Sequence, residues 1–338
     1  MHKDLWHRLS IVANIPTVKI LVMHSRDLDK GSTRFRVVNY QPFLEASGLS
    51  INYVNRQRVS VREVERHDVL FNQKCRLNWL LSWRLRRASP RIVFDFDDAI
   101  YTRPLKPYGR FVGGRVRNRL DWWYAHADLV TTSSEYLAAH ARRITDRVRV
   151  IPMAVDVETW APTVRAASDK VRIGWAGRPG NLRYLQTIQD ELIAVQRARP
   201  QVEYAVYSGE RPALALPLQH VSFKPGTEPA FIQSLDIGLL PLPDNEFARG
   251  KSPIKAIQYL ACGAPVVGNV WGASVEIVTP DVGLDIAHHG GWQAALIRLV
   301  DDLDLRQRLG AAGRAHVVRH HNLANTGPAL LAAITGRE

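Results

Sequence analysis

What most constrains this chain is a rhythm of short apolar runs. Runs of strand length fall at residues 18–23, 51–54, 69–71, 91–96, 129–132 and 148–151, with helical stretches between them. They are nearly continuous in apolar character rather than alternating, the pattern of strands buried on both faces. Such strands separated by helices build a parallel sheet covered on both sides, so the first half predicts a doubly wound α/β domain. The rhythm pauses at 161–170 (APTVRAASDK) and resumes at 171–175, 203–207, 220–223, 237–241 and 265–268, about five further strands. Residues 182–199 and 254–261 are the clearest helices of this second series.

At 338 residues the chain exceeds one ordinary core, and roughly 100–200 residues per domain makes two. The expected division is one Rossmann-like domain over 1–165 and a second over 166–338, with the last helix free to cross back. Open α/β sheets place ligands beyond the carboxyl ends of their strands, so the two domains should face a central cleft with motifs at strand ends. Hydrophobic residues at 46% and charged residues at 23% exclude a disordered chain.

The net charge of +13 is unevenly spread: residues 1–165 hold 28 Lys+Arg against 16 Asp+Glu, residues 166–338 hold 17 against 16. This asymmetry points the first domain toward an anionic partner. No helix-turn-helix, RNA-binding aromatic signature or zinc finger accompanies it, so a nucleic acid is not expected. The two cysteines, Cys75 and Cys262, lie in apolar elements without a CxxC pattern, which suits a reducing cytoplasm and no zinc. Each apolar run falls short of the roughly 18 residues that span a bilayer, and residues 1–16 lack a signal-peptide core. The expectation is a cytoplasmic protein, soluble or peripheral on the inner face of the membrane.

Two segments carry candidate anion chemistry. After the strand at 171–175, Gly177-Arg178-Pro179-Gly180-Asn181-Leu182-Arg183 passes from strand through glycines to helix. Gly177 and Gly180 permit a tight turn and close backbone approach, and Arg178 and Arg183 can clamp phosphate oxygens. Further on, Gly250-Lys251-Ser252-Pro253 precedes a helix, with Ser252 suited to the N-cap and Pro253 to the first turn. Such a helix start is an anion site, reinforced by Lys251. Lys251, Lys255, Gln258 and Cys262 are spaced to share one helical face, and Gly263 should end the helix. The Gly-Lys-Ser text is not a P-loop, because that spacing needs glycine where Asn245 stands.

With these segments in hand, the chain resembles glycosyltransferase family 4 of the GT-B fold. Ala127-Asp128-Leu129-Val130-Thr131-Thr132-Ser133-Ser134 and Ile151-Pro152-Met153-Ala154-Val155-Asp156 are similar to two of its motifs. Gly177-Arg178 with Arg183 resembles its diphosphate clamp, and 250–267 resembles its segment with two glutamates seven residues apart. Both glutamates are replaced here, the first by Gly250 and the second by Gln258. Gln258 can still accept a hydrogen bond from a donor ribose, but Gly250 has no side chain to touch a sugar. The resemblance implies a donor site of Gly177, Arg178, Arg183, Gly250, Lys251, Ser252, Lys255 and Gln258. It implies a retaining transfer from a nucleotide-diphosphate sugar without a metal, in which Arg178 and Arg183 stabilise the leaving diphosphate. The alternative is an inactive binding module of the same shape.

On the acceptor side, the loop from His24 to Arg36 offers Gly31 for flexibility, Ser32 or Thr33 as a cap, and Arg34 and Arg36 for phosphate. Asp95, Asp97 and Asp98 crowd the end of the strand at 91–96, where at least one pKa should rise. Asp97 or Asp98 is expected to orient the acceptor or act as base, with cation binding the other possibility. Trp79 and Trp83 precede a basic helix end, and Arg115 to Arg119 precede Trp122 and Trp123. Trp beside Arg suits a membrane interface bearing a glycan, lipid-linked or lipopolysaccharide-type acceptor. His126, His288, His289, His320 and His321 lack carboxylates at metal spacing and are expected at the surface or an interface.

Overall fold

A computed structural model of the chain describes residues 17–25, 28, 31–104, 108–164 and 168–337. The reading of residues 1–16, four residues of the 24–36 loop and residues 165–167 of the expected linker lie outside that set. By compactness the chain forms two units, one of residues 1–153, 250–252 and 323–338, the other of 154–249 and 253–322. Residues 154–164 therefore pack with the second unit, while 250–252 and the C-terminal stretch pack with the first.

The first unit is built on strands β1 (Val18–His24), β2 (Leu49–Asn55), β3 (Val69–Gln73), β4 (Arg91–Phe96), β5 (Leu129–Thr132) and β6 (Val148–Val150). They pair in parallel in the order β2-β1-β3-β4-β5-β6. Phe94 and Phe96 pack beneath the Arg110–His126 helix, where Trp123 stacks on Phe94 with ring centres 5.8 Å apart. Trp123 is thus a core residue rather than the interface residue expected, while Trp122 is half-buried and stacks on His126 at 4.3 Å. The Leu323–Thr335 helix completes this core with Leu330 and Ile334, and Thr326 Oγ1 lies 2.8 Å from the Tyr40 hydroxyl. Arg91 donates to the carbonyls of Ala333 and Ile334 at its end.

The second unit has β7 (Val171–Ala176), β8 (Val202–Ser208), β9 (Leu218–Ser222), β10 (Ile237–Leu240), β11 (Val266–Gly268) and β12 (Gly283–Asp285), all parallel, in the order β12-β11-β10-β7-β8-β9. β12, three residues long and ending in aspartate, carries too little apolar pattern to be read from sequence. The expected 182–199 helix is instead two, Leu182–Gln186 and Gln189–Ala198. Thr187 Oγ1 donates back to the Tyr184 carbonyl at 2.8 Å, a local bond that competes with the helical ladder. Among the described residues no helix is long and apolar enough to cross a membrane.

Each sheet has one place where the chain reverses its direction of travel across the strands, between β1 and β3 and between β7 and β10. The crevice beyond the carboxyl ends of such a pair is where open α/β sheets bind ligands. The loop to Ser32, the Gln73-Lys74 corner and the Gly177-Arg178 turn all leave strands at these two points.

Candidate functional site

At the carboxyl edge of the first sheet, three strand ends converge on one part-buried lysine. Lys74 follows β3 in a left-handed conformation, φ 49°, the one non-glycine residue so placed among those described. Such backbone is uncommon outside glycine and persists where surroundings hold it. Its Nζ lies 2.7 Å from Asp97 Oδ1 and 2.7 Å from Asp98 Oδ2, and it also donates to Ser32 Oγ. Burial works against the ammonium, but the two carboxylates outweigh it and raise its pKa. Burial likewise lifts Asp97 above its ordinary value, against the pull of Lys74 and with the push of Asp98. The cation these carboxylates hold is an ammonium from the chain itself.

Gln73 links this cluster to the next loop: Thr33 Oγ1 donates to Gln73 Oε1 at 3.0 Å, and Gln73 Nε2 reaches Asp97 Oδ1 at 3.5 Å. Ser32 is thus joined to Asp97 through Lys74, and Thr33 through Gln73. Gly31 is exposed at φ 62°, caps the Ser32–Arg36 helix without a side chain, and has open space around it. Arg34 is half-buried with its guanidinium over the Phe35 ring. Arg36, expected to meet phosphate, is buried and paired with Asp95, Nη2 to Oδ1 2.6 Å, with Thr131 Oγ1 on the same carboxylate at 2.8 Å. The pair removes both Arg36 and Asp95 from any ligand.

Gly250, Lys251 and Ser252 pack with the first unit, apart from the other expected donor residues. Ser252 is not the cap of the helix that follows: Pro253 is, without a side-chain bond, and the helix runs Ile254–Ala261. The Ser252 hydroxyl instead meets Ser133 Oγ at 2.5 Å, and its N–H donates to the Asp97 carbonyl at 3.3 Å. A Cβ on Gly250 would stand 2.7 Å from Ala99 Cβ and 3.1 Å from Leu137 Cδ2. Close packing thus excludes any side chain at the first glutamate position. Lys251 is half-buried beside it.

In the second unit, Gly177 directly follows β7, and a Cβ there would strike the Trp175 ring at 2.3 Å. Packing demands this glycine, whereas Gly180 has open space. Arg178 is exposed in extended backbone, and Pro179–Asn181 form a 3₁₀ turn into the helix that carries Arg183. The Arg183 guanidinium lies 5.0 Å from the Tyr184 ring centre, yet its Nε is buried with no acceptor among the described residues. A buried donor left unpaired costs about 1–3 kcal/mol, a condition that Arg172 Nε shares. Behind the turn, the Tyr259 hydroxyl accepts from the Ala176 N–H at 2.8 Å, while its ring packs on Gly238 with no room for a Cβ. Tyr259 therefore holds the carboxyl end of β7 from below.

Lys255 and Gln258 do share a helix face, but both are engaged. Lys255 Nζ donates to Glu228 and, at 3.0 Å, to Gln258 Oε1, and Gln258 Nε2 donates to Glu228 Oε2 at 3.3 Å. Gln258 is fully buried and its amide oxygen already accepts from Lys255. Cys262 lies just past this helix as its C-cap, and Gly263 at φ 76° closes it as expected. Burial pushes the thiols of Cys75 and Cys262 up to about 12, which suits packing rather than nucleophilic work. His321 is buried, against the surface or interface position expected, while His288 is exposed. Sequence reasoning missed Lys74, Gln73, Glu228 and Tyr259. Only Glu228 had a local signal, an acid before Pro229 at a helix start.

Residues 186–332 match the family model described as Glycosyl transferase-like. D-inositol 3-phosphate glycosyltransferase of Paenarthrobacter aurescens (strain TC1) is 26% identical over 210 residues, 54% of this chain and 50% of that protein. A GDP-mannose-dependent monoacylated alpha-(1-6)-phosphatidylinositol monomannoside mannosyltransferase of Corynebacterium glutamicum is 44% identical over 59 residues, 17% of this chain and 16% of that protein. The chain spans about half the length of the first curated relative and less of the second. Among solved structures, sucrose-phosphate synthase from Thermosynechococcus elongatus matches with a TM-score of 0.72 at 14% identity, covering 93% of this chain and 97% of that one. HepE of Anabaena, solved in complex with UDP and glucose, matches with a TM-score of 0.68 at 13% identity, covering 94% and 100%. At such identities the likeness establishes the fold: two six-stranded parallel α/β sheets of the GT-B kind.

Proposed function

From a chain of GT-B fold whose residues 186–332 are glycosyl transferase-like, we propose a retaining glycosyltransferase that moves a sugar from a nucleotide-diphosphate donor. The observation that carries this reading is the Arg183 Nε, buried and without an acceptor among the described residues, one turn beyond the exposed Arg178 at the β7/β10 reversal. A diphosphate oxygen supplies the missing acceptor, and Arg178 adds a second positive charge.

In the reaction, the bond from the anomeric carbon to the diphosphate oxygen breaks and a bond to the acceptor hydroxyl oxygen forms on the same face. The hydroxyl proton passes to the departing diphosphate, so no protein base is required. Arg178 and Arg183 stabilise the charge that grows there, preorganised electrostatic work that also requires no metal. Asp98, the more accessible of the two carboxylates held by Lys74, orients a glycan, lipid-linked or lipopolysaccharide-type acceptor beside Ser32, Gly31 and Arg34, with Asp97 fixing Lys74 from behind. Lys255 and Gln258, tied to Glu228, shape the donor pocket rather than neutralise it.

Arg178→Ala should lower transfer by orders of magnitude with the melting temperature unchanged; near-normal turnover sinks the assignment. A thermal-shift screen over UDP-, GDP-, ADP- and dTDP-sugars identifies the donor, since a ligand at 100 times its Kd stabilises by about 2.7 kcal/mol. Replacement of the first glutamate by the tightly packed Gly250 favours a second reading, a binding module without turnover. Donor binding with neither transfer nor hydrolysis would establish that module.

A further inference from the structure

Two neighbouring helices of the first unit turn apolar side chains outward. On the Trp79–Ala88 helix the buried side is small, Ser82 and Leu85, while Trp79 is 71% exposed and Trp83 47% exposed, with Leu80 between them. On the Arg110–His126 helix, Phe111 is 86% exposed with Val112 beside it. A single exposed apolar residue needs no explanation, but a cluster of large ones does.

Topology puts these five side chains on one surface. β3, β4 and β5 are successive neighbours, so their right-handed crossovers lie on one face of the sheet, and the two connecting helices pack together there. Both helices return to the amino ends of strands within a few residues, so their own amino-terminal turns rise toward the carboxyl edge. Counting about 1.5 Å per residue back from each return, Trp79 lies level with the middle of the longer helix and Phe111 stands roughly 9 Å higher. The exposed residues of that middle stretch are Arg115, Arg117, Asn118 and Arg119, and the Trp79–Ala88 helix adds Arg84 and Arg87, the latter over the Trp83 ring at 5.2 Å. Asp121 is the only acid on either helix.

We propose that this surface docks on an anionic lipid bilayer, with Trp79, Trp83 and Phe111 at headgroup depth and the flanking arginines on lipid phosphates. A bilayer interface selects aromatic rings beside guanidinium groups, whereas a water-facing helix does not. The charge decides the partner: an excess of arginine around an apolar centre is complementary to anionic headgroups and repels a second copy of itself. The proposal goes beyond the transfer reaction and does not depend on it.

Flotation with phosphatidylcholine vesicles, with and without phosphatidylglycerol, tests it using the whole chain. Binding should require the anionic lipid, weaken with salt, and fall about fivefold for each of Arg84→Gln and Arg115→Gln. Trp79→Ser with Phe111→Ser should abolish it while leaving circular dichroism and nucleotide-sugar binding unchanged. Absence of binding, equal binding to neutral vesicles, or binding untouched by the paired serine substitution overturns the proposal. So does a concentration-dependent dimer that the same substitution dissolves, because the surface then serves a second copy. Retained vesicle binding in an Arg178→Ala protein separates the result from the donor assignment.

Discussion

The Lys74 ammonium stands 2.7 Å from both Asp97 and Asp98, and its side chain and that of Asp97 are nearly inaccessible to water. Removing one partner of a buried pair strands the other, so Lys74→Met should cost about 3–5 kcal/mol at neutral pH. The sign with pH follows from Asp97, whose folded pKa is raised above 3.8 by burial. A raised carboxyl means the native state holds its proton longer, so its contribution is full below 3.8 and lost as pH rises through the folded value. Without Lys74 that loss is unopposed. Urea unfolding of Lys74→Met should therefore show a smaller deficit against the parent at about pH 4 than at neutrality, and an equal deficit at both would refute the pairing. Asp97 and Asp98 were legible because three carboxylates at the end of an apolar strand violate its pattern. Lys74 was not, since a lone lysine after β3 has no pattern, and its meeting with Asp97 depends on the β3/β4 register of Gln73 opposite Asp95. Arg36 misled for the same reason: nothing in its neighbourhood along the chain announces Asp95.

At the scale of elements, strands were read well because burial on both faces writes itself into consecutive residues. β4 and β5 fall at the expected residues, as does the Ile254–Ala261 helix. Ends and breaks depended on partners distant in sequence. Ser252 has the chemistry of a cap, but Ser133 claims its hydroxyl, and Thr187 breaks a helix through a bond no apolar period encodes. The Ile254–Ala261 helix supports β7 through one atom, the Tyr259 hydroxyl that accepts from Ala176. Tyr259→Phe keeps the ring against Gly238 and orphans that buried N–H, at a cost of about 1–3 kcal/mol. Because Ala176 leads directly into Gly177-Arg178, donor affinity should weaken in the same variant. Calorimetry and donor titration check both effects, and an unchanged donor Kd would confine Tyr259 to stability.

Over the whole molecule, the charge asymmetry was visible from the start, but not which residues present it. Burial separated Trp123, a core ring, from Trp79, an outward one, although both stand beside arginine in sequence. The expected two-domain rhythm was equally plain, whereas the membership of 250–252 and 323–338 in the first unit was not. Removing residues 323–338 deletes Leu330 and Ile334 from the first core, each worth about 2–5 kcal/mol. Against a typical total of about 5–15 kcal/mol, the shortened chain should lose the first sheet and keep the second. Limited proteolysis should then leave a protected fragment bounded near residues 154 and 322, and an undiminished melting profile would contradict this. On the ribosome the consequence is an inverted order of completion. At about 5–20 residues per second, the first sheet waits roughly ten to thirty seconds after its last strand emerges before its closing helix is made. Through that interval its apolar underside is open to chaperones, so the half that is translated first is the half that is finished last.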